Sequence, residues 1–548
     1  MTLLTPLTPV TLHGGDLVVR TLTELGATTV FGIPGQHALG LFDALGRSSL
    51  RYVGNRVENN AAFAADGFAR AGGLPAVLFL STGPGALTAL AGLQEARATG
   101  VPVLVVCSQV PRSGLEHPRS GHLHQLDEQL AAAGQVTKSA RRVMRAQDIP
   151  SMVAAAWTQA LTAPAGPVWV EIPQDVLLEP VTEVVASVQA GATGLPPDLL
   201  LLEQACSWLR QAERPVILAG GGLARSAVRG DLPALAEMLR APVVTTASGK
   251  GVLRADHPLA AGSWLEDRLT TELLETADVL LVLGSALGEI TSNYFTFRPQ
   301  GRIISVNADP IVLDSTRARF GEILALPADA GETVRALVAD LHPRPADGRA
   351  ESVVQELRAG IQKRIAGQDL EAEQGLLRDV RAGVPDDAET FWDMTVAGYW
   401  AWSCWDPRSG GFHSAQGSGG IGWAFAAALG AAAASGRRTL AVSGDGGAMY
   451  SLAELAVARQ HDLPVTWLVV DDGGYGILRE YMTDTFGRAV GTELGRPDFV
   501  RLAEAFGVAA ELVDPAGVEA AIARDWEAPG PRVVVLRQHL RMFAPTHI

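Results

Sequence analysis

Two short stretches of this chain carry residues whose types and spacing suit one chemistry. Gly444-Asp445-Gly446-Gly447 follows an apolar run, Thr439–Ser443, and lacks the side chains that would keep a ligand away from the backbone. A helix beginning near Ala448 would turn its free N–H groups toward whatever sits on that turn. Asp471-Asp472 closes a second run, Val465–Val470, so apolar and β-branched that it reads as a buried strand. Acidic positions at the carboxyl ends of two strands in one sheet can converge beside that helix. Carboxylate oxygens, a turn carbonyl and phosphate oxygens suit a hard cation such as Mg²⁺. The pattern predicts a cradle for a diphosphate and Mg²⁺. Gly-Asp-Gly alone is weak; the second turn at this distance makes the signal specific.

Elements that would position these residues follow from the apolar pattern. From about Gly15 to Pro180, strands and helices alternate, which predicts a parallel doubly wound sheet. Its strand-end turns, Gly32-Ile33-Pro34-Gly35 and Ser81-Thr82-Gly83-Pro84-Gly85, stand where such folds place a ligand crevice. A polar linker (Gln189–Asp198) leads to a second α/β unit over about 199–341. Its Gly220-Gly221-Gly222 falls short of the GxGxxG of a dinucleotide turn. Residues 342–389 are polar and helix-rich and read as an interdomain connection. A third unit, about 390–540, holds the opening stretches. The expected class is α/β with three doubly wound parallel sheets, the first unit spanning 10–188.

Composition excludes several classes. The 548 residues carry a net charge of −15, which argues against nucleic acid or an anionic membrane as partner. Cys107, Cys206 and Cys404 are scattered, which suggests reduced thiols and neither a disulfide framework nor zinc. The amino-terminal residues lack a basic, then unbroken apolar, leader pattern. The Ala-rich stretch after Gly422 reads as a packed helix and not a membrane span. A cytoplasmic globular protein is expected.

Gly-Asp-Gly, the intervening segment and the acidic pair followed by Gly resemble the thiamin diphosphate fingerprint of the acetolactate synthase/2-oxo-acid decarboxylase superfamily. The resemblance covers nearly the whole chain, and Asp471-Asp472 departs from it where Asn-Asn is usual. It implies Mg²⁺ held by Asp445, Asp472 and the Gly474 carbonyl, with Gly444, Gly446 and Gly447 along the diphosphate. Gly419 would offer a carbonyl to the aminopyrimidine, and Ile421 would be the stiff wedge that bends the cofactor. Pro34, Thr82 and Gly83 would line the pyrimidine. Glu58, 23 positions after Gly35, would exchange a proton with the ring nitrogen N1′. Substrate-facing positions by the same likeness are Gln36, His37, His124, Gln125 and Leu478, with His122 close by. His37 and Gln125 would take part in catalysis, a neutral His relaying protons and a Gln orienting a carbonyl.

The resemblance further implies decarboxylation of a 2-oxo acid, with the resulting carbanion either transferred to a second carbonyl or protonated to an aldehyde. The adjacent His-His pair of pyruvate-decarboxylase-type enzymes is absent from the sequence, and Leu478 stands where those enzymes carry an acid. That favours an acetolactate-synthase-like carboligase over a simple decarboxylase of the guanidino-oxo-acid or benzoylformate type or a benzaldehyde-lyase-like enzyme, and a non-catalytic paralogue ranks below these. In some members the central unit binds FAD, and nothing in this sequence selects for or against it. A homodimer or homotetramer with active sites at the subunit interface is the implied assembly.

Overall fold

The computed structural model describes residues 12–181 and 195–544. The linker expected over 189–198, and the ends of the 10–188 unit, lie largely outside the described residues. The chain divides into two compact units, the first within 12–181 together with Leu429–Ser435 and the second made of the rest of 195–544, and each is taken by itself.

The first unit is a six-stranded sheet in the order Arg51–Gly54, Thr29–Gly32, Ala76–Leu80, Val103–Gln109, Val168–Pro173, Ser139–Arg142, every pairing parallel. Numbered along the chain, its strands run 2-1-3-4-6-5. Its four inner strands are buried on both faces, as helices on either side of a parallel sheet require. Helix Glu58–Gly72 packs on helix Pro84–Thr99. A Cβ on Gly92 would lie 2.6 Å from that of Ala62, so only glycine lets the two helices approach this closely. At their far ends Arg70 donates to Asp66 at 2.8 Å, to Thr99 at 2.9 Å and to Glu95 at 3.3 Å, all buried.

The second unit holds two sheets. The central one has the order Ala260–Gly262, Val243–Thr245, Pro215–Ala219, Val279–Leu283, Arg302–Asn307, Leu324–Pro327, which is 3-2-1-4-5-6 along the chain. Its order reverses between Pro215–Ala219 and Val279–Leu283, where a ligand crevice would open. Here Gly220-Gly221-Gly222 packs directly on the next turn: the Gly222 N–H donates to the Gly284 carbonyl at 2.9 Å, and a Cβ on Gly220 would meet that carbonyl at 2.5 Å. Close backbone packing accounts for those glycines.

The third sheet is Gly411–Ser414, Glu389–Trp392, Thr439–Gly444, Val465–Asp471, Arg532–Arg537, Ala509–Val513, again 2-1-3-4-6-5 and all parallel. The expected Ala-rich helix is present as Trp423–Ser435. Three α/β units are therefore present, as the sequence predicts. Among the described residues no helix is long and apolar enough to cross a membrane.

The helix-rich interdomain connection expected over 342–389 also contributes to the core. Residues 342–389 form two helices, Arg349–Ala366 and Glu371–Gly383, whose Val354, Leu357, Ile361 and Ile365 are buried. Their spacing of three and four residues makes one apolar stripe. The stripe belongs to a single core shared by the central and third sheets. The polar composition reflects the outer faces alone. Ile361→Ala is expected to cost about 2–5 kcal/mol in denaturant unfolding. The exposed neighbour change Lys363→Ala should stay within about 0.5 kcal/mol; two silent substitutions would restore the linker description.

Candidate active site

Parallel pairing of Thr439–Gly444 with Val465–Asp471 sets Gly444 opposite Val470, so both acidic turns leave the sheet side by side. The helix after the first turn starts at Asp445 itself, three residues before the expected Ala448, because Asp445 already takes helical geometry. Asp445 is buried and its Oδ1 has no hydrogen-bond partner. Its carboxyl is pushed up to about 7, first by burial, then by the charge of Asp472 and a hydrogen bond shared with it. Asp471 points elsewhere, between Arg496 and Arg537, each at 3.4 Å. Asp472 is thus the second acid of the pair, as expected, and Arg479 approaches it at 3.1 Å.

A cavity of about 450 Å³ opens beside this pair. Gly419, Ile421, Gly444, Gly446, Gly447, Asp472, Gly474 and Leu478 all line it, so the expected cofactor positions of this half are brought together. Gly474 is fixed by an antiparallel bridge to Glu493. One residue that sequence reasoning missed orders the cavity. Asp393, at the end of strand Glu389–Trp392, accepts the Gly422 N–H with both oxygens, at 3.0 and 2.9 Å, and the Met394 N–H at 3.1 Å. A Cβ on Gly447 would come within 2.9 Å of its Oδ2, and Gly422 has φ +82°, open to glycine. Asp393 thus ties the Ile421 turn to the Gly-Asp-Gly turn. Asp393 itself leaves strand 1 and the Gly-Asp-Gly turn leaves the adjacent strand 3, where the strand order reverses, while the Ile421 turn follows strand 2.

The first unit repeats that arrangement. Gly32-Ile33-Pro34-Gly35 and the 81–85 turn leave its strands 1 and 3, and a Cβ on Gly35 would lie 2.4 Å from the Ser81 side chain. Glu58 opens helix Glu58–Gly72 with its Oε1 3.3 Å from the Cβ position of Gly85, so the carboxylate faces the 81–85 turn. The turn is held by a buried side-chain lattice not visible in the sequence. Gln129 Oε1 accepts from the Thr82 hydroxyl at 2.6 Å and the Gly83 N–H at 2.9 Å, while its Nε2 donates to Glu171 at 3.0 Å. Arg142 pairs with Glu171 behind it.

His37 is buried in a short 3₁₀ turn, Gln36–Ala38, and its ring lies 5.5 Å from that of His124. Burial first, then the neighbouring charges of His124 and His122, lower its pKa, so His37 is neutral near pH 7. A Cβ on Gly83 would meet the His124 carbonyl at 2.4 Å, which joins the histidines to the 81–85 turn. The Gln36 carbonyl accepts from Gln174 at 3.3 Å. Gln125 uses its amide inside its own loop: Nε2 donates to the carbonyls of Gly114 at 2.6 Å and His117 at 2.9 Å, and Oε1 accepts the Ser120 N–H at 2.9 Å.

Three family models match these units: the thiamine pyrophosphate enzyme N-terminal TPP-binding domain over residues 12–132, the central domain over 202–337 and the C-terminal TPP-binding domain over 393–536. The chain belongs to the thiamine pyrophosphate enzymes. A probable 2-ketoarginine decarboxylase of Pseudomonas aeruginosa is 33% identical over 506 residues, covering 91% of this chain and 89% of that protein. A probable acetolactate synthase large subunit of Methanocaldococcus jannaschii is 29% identical, covering 92% of this chain and 88% of its own. The acetolactate synthase isozyme 1 large subunit of Escherichia coli is 28% identical, with 96% and 93% covered. The protein is therefore a thiamin-diphosphate-dependent enzyme.

Within this thiamin diphosphate enzyme, Asp393 carries a testable signature. Burial raises its carboxyl from 3.8 to about 6, against the hydrogen bonds that favour the charged form. A raised folded value means stability present below pH 4 is lost as pH climbs through about 6. The unfolding free energy of the wild type, measured against Asp393→Asn, should fall over that window by on the order of 3 kcal/mol. The same variant, with an amide N–H set against the Gly422 N–H, should bind thiamin diphosphate more weakly in fluorescence titration.

Proposed function

We propose that the protein is a Mg²⁺- and thiamin-diphosphate-dependent enzyme that decarboxylates a 2-oxo acid. The observation that carries this reading is the Asp445–Asp472 pair, whose Asp472 lines a cavity shared with Ile421 and Gly419. Two carboxylates in hydrogen-bond contact, one of them pushed up to about 7, call for a positive charge between them. Among the described residues no group of three or more His, Cys, Asp or Glu forms a closed metal cage. That suits Mg²⁺, which takes few protein ligands and completes its shell with phosphate oxygens and water.

Asp445, Asp472 and the Gly474 carbonyl would hold the ion, and Gly444, Gly446 and Gly447 leave room for the diphosphate. Ile421 and Gly419 would support the cofactor's middle, and Pro34, Thr82 and Gly83 its pyrimidine. When bound, thiamin diphosphate supplies the electron sink for the pair left by loss of CO₂. Glu58 would hold a proton at pyrimidine N1′. His37, neutral near pH 7, can give or take a proton at the substrate, and Leu478 offers an apolar, proton-free wall.

The product we propose is the aldehyde, on the strength of the 2-ketoarginine decarboxylase likeness. Transfer to a second carbonyl, the outcome favoured by sequence, is the second reading, supported by Leu478 in the cavity and by the acetolactate synthase relatives. The protein with thiamin diphosphate and Mg²⁺ should release CO₂ and an equal amount of aldehyde from members of a 2-oxo-acid panel. A 2-hydroxy ketone as sole product would establish the second reading instead. Glu58→Gln should lower kcat by about 10²–10⁴-fold while cofactor still binds.

A homodimer or homotetramer is the proposed working assembly, with each site drawn from two subunits. Mixing inactive Glu58→Gln and Asp445→Asn proteins under exchange should then restore activity, since one site in each mixed dimer is intact. A mixture that stays inactive would assign both halves of the site to a single chain.

A further inference from the structure

One wall of the cofactor cavity is built by strand register, and it carries a polar side chain that the reading above leaves without a task. Strands Val465–Asp471 and Arg532–Arg537 run parallel, with Val470 opposite Leu536 and Asp471 opposite Arg537. Side chains alternate between the two faces of a strand, and residues paired across a parallel ladder share a face. Val470 and Leu536 therefore point to one side, where both join a single core. Asp471 and Arg537 point to the other side, where their side chains meet at 3.4 Å. One residue further along, the alternation returns Asp472 and Gln538 to the first side, next to one another. The lining of the cavity agrees, since Val470, Asp472, Gln538 and Leu540 all belong to it.

Gln538 is half-buried as a residue, yet its Oε1 is buried and has no hydrogen-bond partner among the described residues. Buried polar atoms are nearly always paired, and one left unpaired disfavours the state that holds it. Packing alone does not ask for an amide at this position. Val470, Leu536 and Leu540 around it are apolar and buried, and a methionine would fill the same reach with no polar atom to satisfy. An unpaired amide oxygen in the wall of a binding cavity points to a partner that arrives with the ligand.

The other groups at this end fix what that partner can be. With an ion in place both carboxylates are ionised, so Asp445, Asp472, the Gly474 carbonyl and the phosphate oxygens can only accept hydrogen bonds. None of them can serve a further acceptor. Mg²⁺ held by few protein ligands keeps water in its shell, and the ion's charge makes that water a strong donor.

We infer that Gln538 is a positioning residue of the ion site, its amide oxygen accepting a hydrogen bond from a water in the shell of the Mg²⁺ held by Asp445 and Asp472. The inference rests on the Mg²⁺ and thiamin diphosphate reading above and adds a residue to it. An acceptor fixed beside Asp472 selects one orientation of that water, and through it one placement of the ion against the diphosphate.

The test is calorimetric titration of Mg²⁺ into the full-length protein with saturating thiamin diphosphate, beside thermal unfolding of the protein without ligands. Gln538→Met should weaken Mg²⁺ binding by about 10–100-fold. Without ligands the same variant should unfold at the wild-type temperature or above it, because an unpaired buried oxygen has been removed. Gln538→Glu keeps an acceptor at the same reach and should hold Mg²⁺ within a few-fold of the wild type, or more tightly. Unchanged Mg²⁺ affinity in Gln538→Met would overturn the inference. Equal losses in both variants would overturn it too, marking the amide as a donor to the diphosphate or as packing. A Gln538→Met protein that is destabilised without ligands, or does not fold, would assign Gln538 to the architecture and reject its role at the ion. Wild-type protein that takes up no Mg²⁺ beside thiamin diphosphate would sink the proposed ion site itself, a result distinct from any difference among the variants.

Discussion

Two carboxylates are forced together by the register of two neighbouring strands, and most of the third sheet's local structure answers that fact. Gly444 sits opposite Val470, so the residues that follow, Asp445 and the Asp471–Asp472 pair, emerge at one edge. Arg496 and Arg537 draw Asp471 aside, which leaves Asp472 to face Asp445. Arg479 steadies Asp472 from the other side. The repulsion that remains is what a divalent ion would relieve, and burial makes it stronger than the same pair would feel in water. The cavity, the Ile421 turn and Asp393 are arranged around that one unfavourable contact.

What could be read from the chain was whatever is encoded locally. The strands Thr439–Gly444 and Val465–Asp471 are continuous apolar runs, the turns between them are rich in glycine, and Glu58 opens a helix after a short strand. Fold class, the three sheets and the positions grouped around the third-sheet cavity were legible for that reason. Short or polar strands were not: Ser139–Arg142 is half arginine, and Ala260–Gly262 and Leu324–Pro327 are too brief to show a period. The helices over 349–383 hid a buried stripe inside a charged composition. Contacts between distant residues left no signal at all. Gln129 meets Thr82 across 47 positions and Asp393 meets Gly422 across 29, and neither residue type announces such a role.

The first and third sheets share the strand order 2-1-3-4-6-5, while the central sheet runs 3-2-1-4-5-6. In both outer sheets one turn of interest leaves strand 1 and another leaves strand 3, where the order reverses and a crevice opens, while Asp472 follows strand 4 and Glu58 follows strand 2. One crevice is lined with histidines, a glutamate and a side-chain lattice around Gln129; the other with glycines and paired aspartates. The same frame thus presents a proton-handling surface in one copy and an ion-handling surface in the other. In the central sheet the equivalent point is closed by Gly222 packing on Gly284.

The helices Arg349–Ala366 and Glu371–Gly383 are stitched into a core that contains side chains of both the central and the third sheet. A module that can be shuffled between genes, or cut out at the bench, must carry its own interior with it. The central sheet keeps a core of its own on one face, but on the other it shares its interior with the third sheet. A breakpoint between them would expose the apolar stripe on one product and an empty groove on the other, so the two sheets are expected to fold only as one piece.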